Sequence, residues 1–509
     1  MKPDANRHIA HSKQKTRGMN VNASATRKGV PDLLAIARLA MTSRGLEPDI
    51  PNEALLELAG ISTSAVDNSL ADLTQLLWCS IDNDDSMDLD QITVAEEQPN
   101  GTTKILIGIA DVDAIVKRGG PIDQHAQKNT TSVYTGVKIF PMLPEKLSTN
   151  LTSFSPEEQR LALVVEMLVG IDGEITASHI YQARVRNRAK LAYDGVSDWL
   201  DGKHSLPVAA RNVPGLDKQL RIQDKVAQQL RHLRNTHGAL ELDTLEPRAI
   251  MVDGAVANLK QDEKNRAREL IEDFMIAANG VTARFLAQAN FPVLQRVVRV
   301  PKRWDRIVQV AAAFGEKLPR DPDSGALSSF LSKRRISDPL RFPDLSLTIV
   351  KLLGRGEYIL TSPGVPPIGH FGLAVRNYSH STAPNRRFPD LITQRLLKAV
   401  MKHAPAPYDQ TELRLLASHC TAQENAADRV ERQVRKSASA LLLSTRVGHY
   451  FDGIVTGASE KGTWARVFEP PVEGKIVHGE SGLDVGDRIR LKLIGVNVEK
   501  GFIDFVRIP

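Results

Sequence analysis

Five aspartates fall within nine residues of this chain, in Ser80-Ile81-Asp82-Asn83-Asp84-Asp85-Ser86-Met87-Asp88-Leu89-Asp90-Gln91, directly after the apolar Leu76-Leu77-Trp78-Cys79. A freely solvated acidic loop has little use for Ile81, Met87 and Leu89, so the stretch reads as half-buried. If Met87 to Gln91 is extended, Asp88 and Asp90 share one face and Leu89 takes the other. The intervening loop can return Asp82 to the same place. Carboxylates gathered where water is scarce repel one another, and a hard divalent cation with oxygen ligands is the natural counter-charge. A calcium loop of the EF-hand type would need Gly where Met87 stands and Glu where Thr93 stands, which excludes it. A plain acidic turn stays open from this stretch alone.

The 509 residues are enough for several domains, and 42% hydrophobic with 25% charged side chains is the balance of a globular protein with a sizeable core. An excess of 66 basic over 60 acidic side chains leans mildly toward anionic partners. Two cysteines, Cys79 and Cys420, exclude a disulfide framework or a cysteine-built zinc site and fit a reducing compartment. The first residues are basic and polar rather than signal-like. No apolar run reaches the roughly 18 residues of a membrane span, Leu161 to Ile171 being broken by Glu166. A cytoplasmic protein is therefore expected.

In order along the chain, residues 1–29 form a basic arm expected to be disordered. Residues 30–75 read as a small helical domain. One stripe runs through Leu33, Leu34, Ile36 and Ala37, a second helix starts at Pro51-Asn52-Glu53 and ends at Gly60, and a third is expected from Ser64 to Leu77. Residues 76–446 read as one large α+β domain. Strands come first, over Lys104–Val112, Arg160–Gly170 and Glu174–Leu191, and helices follow over 216–235, 261–290, 302–315, 386–402 and 411–442. Residues 447–509 carry short apolar runs separated by Gly, Asp and Lys turns, the pattern of a five-stranded barrel of the OB type.

Five further segments follow the aspartates in order: Ile109-Ala110-Asp111-Val112, Thr131–Glu145, Ala189-Lys190-Leu191-Ala192-Tyr193-Asp194, His370-Phe371-Gly372-Leu373 and Tyr378-Ser379-His380-Ser381-Thr382-Ala383-Pro384-Asn385-Arg386-Arg387-Phe388-Pro389-Asp390. This ordered set resembles the ribonuclease II/ribonuclease R (RNB) family of 3′-to-5′ exoribonucleases over about residues 75–445. The terminal barrel is similar to the OB-type RNA-binding domain named after ribosomal protein S-one.

The resemblance implies an RNB-type catalytic domain, a mixed sheet with surrounding helices, that hydrolyses single-stranded RNA with Mg²⁺, or Mn²⁺ in its place, to nucleoside 5′-monophosphates. Asp82 and Asp88 would ligate the metal, and Asp90 would be both ligand and the most critical catalytic carboxylate. Gln91 stands where the family has a fourth aspartate, and its carbonyl oxygen could ligate without charge; Asp84 or Asp85 could replace the lost charge. The run Thr382-Ala383-Pro384-Asn385-Arg386 departs from the family's Thr-Ser-Pro-Ile-Arg but keeps Arg386, which would stabilise charge on the reacting phosphate. Tyr134 matches the aromatic that stacks on RNA near the cut site, and Tyr193 and Glu431 match residues that recognise ribose. A second stacking aromatic is absent: Pro301 occupies its place, and the role does not pass to Trp304. Arg429, Arg432, Arg435 and Lys436 form one basic helix face, a solvated face or a wall of the RNA channel. About 75 residues precede the catalytic domain, too few for the two cold-shock domains that family members usually carry there. The barrel holds eight Lys/Arg against nine Asp/Glu, so weak RNA affinity is expected of it, with Trp464 and Phe468 as stacking or core residues.

The expected partner is single-stranded RNA, with no membrane and no obligate protein partner, the chain acting as a monomer. The alternative is a weakly active or inactive RNA-binding protein that retains the channel, and Gln91 and Asn385 are the residues that argue for it. A DNA-binding regulator led by the N-terminal helices ranks last for want of a basic recognition helix.

Overall fold

Apolar runs too long for a one-sided strand dictate the centre of the molecule. Ile105–Ala110 is buried without a break, as a strand must be when both faces of its sheet are covered. The computed structural model describes residues 32–243, 247–252, 255–261, 264–459 and 462–508; the expected basic arm over 1–29 lies outside them. In the seven-stranded sheet the spatial order is Ala71–Asp72, Ile175–Arg186, Gln159–Val169, Thr103–Ala110, Gln91–Glu97, Cys79–Asp82 and Ala189–Ala192. The middle strands pair antiparallel, whereas each edge strand joins in parallel, Ala71–Asp72 beside Ala183–Arg184 and Cys79–Asp82 beside Ala189–Ala192. The sheet is mixed and helix-covered, as expected of an α+β domain.

The helix Leu216–Thr236 lies on this sheet and is keyed to it by a buried hydrogen bond from Thr93 Oγ1 to Gln223 Oε1 at 2.7 Å. Trp78, Ile92, Ile107 and Val164 fill the layer beneath, each essentially inaccessible. Truncating Ile107 to alanine would cost about 2–5 kcal/mol by the usual cavity penalty. A satellite cluster of Trp304, Ile307, Phe330, Phe342 and Ile349 gathers the helices Trp304–Ala313, Ser324–Ser337 and Phe342–Leu353, of which the last two are not evident from the sequence periodicity.

Three boundaries differ from expectation. No helix forms from Ser64 to Leu77. Asp67 and Asp72 accept the backbone N–H groups of Ser69 and Thr74 at 2.9 and 3.0 Å, and such local side-chain turns compete with helix formation. The helix expected from 261 begins at Arg266, because Asn265 caps it by accepting from Arg268 N at 3.0 Å, and Ala255–Gln261 pairs instead as a strand with Pro247–Val252. The run Glu174–Leu191 splits in two, because Asn187 turns inward to donate to Ser80 Oγ and Phe154 O.

The helices Leu33–Thr42 and Asn52–Ala59 form as the sequence indicates, but each is fastened to the large domain. Ala37, Ala40 and Met41 pack against Ala426, Val430 and Val434 of the helix Gln410–Leu443. Glu57 of the second helix accepts from Ile122 N at 2.7 Å. Residues 450–508 close into the expected five-stranded barrel around Val455, Ala465, Leu491 and Phe505. No described helix is long and apolar enough to cross a membrane.

Candidate active site

The aspartate stretch leaves the sheet at the end of strand Cys79–Asp82 and re-enters it at Gln91. Asp82 shapes the excursion by accepting from Asn83 N at 2.8 Å and Ser86 Oγ at 2.9 Å. Asn83 in turn accepts from Arg268 Nη2 at 2.9 Å, and Lys190 Nζ donates to the Asp84 carbonyl at 3.0 Å. Asp84 and Asp85 are exposed, so neither replaces the charge missing at Gln91 in the buried part of the stretch.

Met87 to Asp90 is strapped from both sides. Ser153 Oγ donates to Met87 O and accepts from Leu89 N, Phe154 N donates to Leu89 O, and Ala110 N donates to Asp90 O. Leu89 consequently faces the core at 3% exposure while Met87 faces solvent at 59%. Asp90 is 2% exposed; its Oδ1 accepts from the backbone N–H of Asn385 at 2.9 Å. Its Oδ2 is buried with no hydrogen-bond partner and lies 3.6 Å from Arg386 Nε. Burial pushes the Asp90 carboxyl up to about 8, against the opposing pull of Arg386 and the Asn385 N–H. Asp88 is also raised, first by burial, with Asp82 adding repulsion, and its Oδ2 accepts from the Tyr134 hydroxyl at 3.3 Å.

Arg386 comes from a loop fixed at many points. Asn279 Oδ1 accepts from both N and Oγ of Ser381 at 2.9 Å, Asp390 accepts from Ala383 N at 2.8 Å, and Ser132 N donates to Arg386 O at 3.0 Å. That last bond ties the loop to the segment carrying Tyr134, whose own N–H donates to Glu431 Oε1 at 2.8 Å. Tyr134 is 40% exposed, so its ring is available. Tyr193 stands at the start of helix Tyr193–Leu200 with the Arg268 guanidinium carbon 4.8 Å from its ring centre. Burial raises the Tyr193 phenol, with Asp82 adding to the rise and Arg268 and Arg386 opposing it. Asp82, Asp88, Asp90, Tyr134, Tyr193 and Arg386 thus meet at one place.

Gln91 is buried as the first residue of its strand, paired with Ile109. Among the described residues no three His, Cys, Asp or Glu side chains close into a ready ligand shell, so Asp82, Asp88 and Asp90 gather without forming a finished cage. Asn385 contributes its backbone N–H, while its side chain turns away to accept from Thr152 Oγ1 at 2.5 Å. No side-chain pattern announces a backbone donor, so sequence reasoning could name Asn385 only as a departure.

Residues 70–403 match the RNB domain model. This chain belongs to the RNB-domain family. Residues 449–508 further match the RNase II-type exonuclease C-terminal S1 domain. The chain is 29% identical to ribonuclease R of Aquifex aeolicus over 492 residues, spanning 90% of this chain and 68% of that one. It is 28% identical to ribonuclease R of Escherichia coli over 496 residues, 89% of this chain and 60% of the relative's length. The fold superposes on Mycoplasma genitalium RNase R, solved in complex with ribose-methylated single-stranded RNA, with a TM-score of 0.84 at 22% identity, covering 94% of this chain and 78% of that one.

In this RNB domain Trp304 is a core residue. It is 5% exposed, donates from Nε1 to Pro319 O at 3.0 Å and meets Phe371 edge-on. Arg429, Arg432 and Lys436 are exposed along the Gln410–Leu443 helix that also carries Glu431. On the barrel, Phe468 is exposed and Trp464 half-buried.

Proposed function

We propose that the chain is a metal-dependent 3′-to-5′ exoribonuclease that hydrolyses single-stranded RNA to nucleoside 5′-monophosphates. The observation that carries the reading is Asp90, a buried carboxylate with one oxygen on a backbone N–H, the other unpartnered, and Arg386 alongside. Burial holding the Asp90 carboxyl above its ordinary range marks it as a functional group rather than as one half of a settled structural ion pair.

Mg²⁺, or Mn²⁺ in its place, would be held by Asp82, Asp88 and Asp90 with the Gln91 carbonyl, and would supply an acidified water and a counter-charge for phosphate. The all-oxygen donor set and the orphaned Asp90 Oδ2 suit such an ion. The chain's own groups do the rest. Arg386, 43% exposed, is free to bind the non-bridging oxygens of the last phosphodiester and to stabilise their charge as the bond breaks. Tyr134 offers its ring to the terminal base, anchored by the hydrogen bond of its N–H to Glu431. Tyr193 and the Glu431 carboxylate are the donor and acceptor types that a ribose 2′-hydroxyl requires. Water adds to phosphorus, the bond from phosphorus to the 3′-oxygen breaks, and the shortened RNA takes up the proton there. The protein would act as a cytoplasmic monomer with RNA as its partner.

The test is a 5′-labelled single-stranded RNA of roughly 30 nucleotides, long enough to enter a buried site, incubated in Mg²⁺ with wild type, Asp90→Asn and a chelator control. A ladder or short limit product in the wild type alone is expected, with the rate in Asp90→Asn down by about 100-fold or more. Uncut RNA in every lane defeats the reading. A second reading, an RNA-binding protein of weak or no activity, is favoured by the neutral Gln91 buried where a further carboxylate would strengthen metal binding. RNA bound but uncut by the wild type, with cleavage restored in Gln91→Asp, would establish it.

A further inference from the structure

The helix Arg266–Gln288 presents a second functional face. Its Asn279 holds the catalytic loop, but Asp273, Ile276, Gly280 and Arg284 line a cavity of about 420 Å³ elsewhere on the helix. The opposite walls are the C-terminal end of the Leu216–Thr236 helix, the turn at Gly173 and the segment 374–377. Gly173 has φ +85° and a Cβ there would meet Gln229 O at 2.5 Å, so the turn closes on the helix only without a side chain. Leu230, Leu233 and Ile276 make one wall apolar.

The remaining lining is charged, with Arg234, Arg284 and Arg376 against the carboxylates of Asp273 and Glu174. Arg234 is already engaged with Asp273, which Arg231 also contacts at 2.8 Å. Arg284 and Arg376 have no ion pair among the described residues, and both line the cavity. Arg284 is only partly exposed, and burial lowers its pKa from the ordinary guanidinium value, with Glu174 acting on it through space alone. Glu174 lines the same cavity but forms no ion pair with Arg284, which leaves the guanidinium without the contact anion that half-buried arginines normally have.

We propose that this cavity binds a nucleoside monophosphate, with the phosphate on Arg284 and Arg376 and the base against Leu230, Leu233 and Ile276. Two features select that class. The volume falls in the range of small-molecule sites and is far too large for a bare phosphate, and the walls pair an apolar surface with two guanidiniums, Arg284 and Arg376, that form no ion pair among the described residues. The binding follows from the cavity; only the ligand's identity as the enzyme's own product rests on the exoribonuclease reading. Asn377 leads directly into Tyr378, whose hydroxyl lies 3.4 Å from Asn279 Nδ2, and Asn279 holds Ser381. Occupancy therefore bears on the loop that positions Arg386, as product inhibition from a second site.

Calorimetric titration of the full chain with adenosine 5′-monophosphate in chelator tests the site, using wild type, Arg284→Met, Arg376→Met and Asp90→Asn, with inorganic phosphate as the comparison ligand. One site per chain is expected, weakened about tenfold or more in each arginine variant and unchanged in Asp90→Asn. Inorganic phosphate is expected to bind at least about tenfold more weakly than the nucleotide, for lack of the base contacts. Arg376 is exposed, so Arg376→Met keeps the test open if Arg284→Met does not fold. Absence of binding, equal binding by wild type and Arg376→Met, or phosphate binding as tightly as the nucleotide overturns the proposal. Weakening by Asp90→Asn alone would place the nucleotide in the catalytic site and overturn it as well. The cleavage assay with Asp90→Asn judges the exoribonuclease reading separately.

Discussion

Two acidic clusters lie within one domain and are served by one segment, yet they are built in opposite ways. Asp111, Asp113 and Asp123 are all ion-paired. Lys398 Nζ lies 2.7 Å from Asp111 and 3.0 Å from Asp113, Arg395 reaches Asp113 and Asp123 at 2.8 Å each, and Gln182 Nε2 donates to Asp111 at 2.7 Å. Among the described residues, the one ion pair made by Asp82, Asp88 and Asp90 is that of Asp90 with Arg386, at 3.6 Å. Both arginines and Lys398 come from the catalytic loop and the Phe388–Met401 helix that follows it. The first cluster carries its counter-charges permanently and so does structural work. The second withholds them, which costs stability and leaves room for ions and phosphate that come and go.

The comparison breaks most sharply at Lys398. Lys398→Met leaves Asp111 and Asp113 buried with less compensation, and should destabilise the fold by about 3–5 kcal/mol in urea titration while leaving cleavage per folded molecule unchanged. A mild loss would mean the network is not what holds this end of the sheet. In the open cluster Arg386→Lys should do the reverse. With 43% of its side chain exposed it contributes little to folding, but a lysine cannot grip phosphate in two places, so turnover should fall about 10–100-fold at constant urea midpoint. Equal effects of the two substitutions on stability would erase the distinction drawn here.

The smallest expected effect concerns pH. Burial, helped by the Arg296 charge, lowers His370 to about 4. The unfolded chain therefore binds a proton that the native state refuses, and stability is lost as pH falls from about 6.5 toward 4, by roughly 2 kcal/mol at most once solvent screening is allowed for. His370 Nδ1 accepts from Leu373 N at 3.1 Å, a role Asn can take. His370→Asn should flatten that part of the thermal-denaturation pH profile. In Asp113, burial opposes ionisation but Lys398 and Arg395 outweigh it and lower the carboxyl, so the stability it contributes is present above the ordinary carboxylate range and is lost as pH falls through and below that range.

The two clusters were not equally legible. Spacing alone marks Asp82, Asp88 and Asp90, because so many carboxylates amid apolar residues demand an explanation. Asp111 falls in a strand the resemblance includes, but nothing local shows what it and Asp113 pair with, since their charged partners lie 282 to 287 residues away. The long helices and the barrel could be read because their periodicity runs over many residues. The turns at Asp67 and Asp72 could not, since short-range capping overrode a weak helical pattern. Tyr134, Tyr193 and Glu431 could be nominated only through the resemblance, and Thr152, which fixes Asn385 from 233 residues away, gave no sign at all.

The Gln410–Leu443 helix has 34 residues and so runs about 50 Å. Ala438, Ala440 and Leu443 near its end lie in the barrel core, while Glu431, farther back, grips the backbone of Tyr134. The barrel is thereby mounted on a rigid rod rather than hung from a tether. The 12 residues from Glu431 to Leu443 rise only about 18 Å, so this last third of the helix fixes how far the barrel stands from Tyr134.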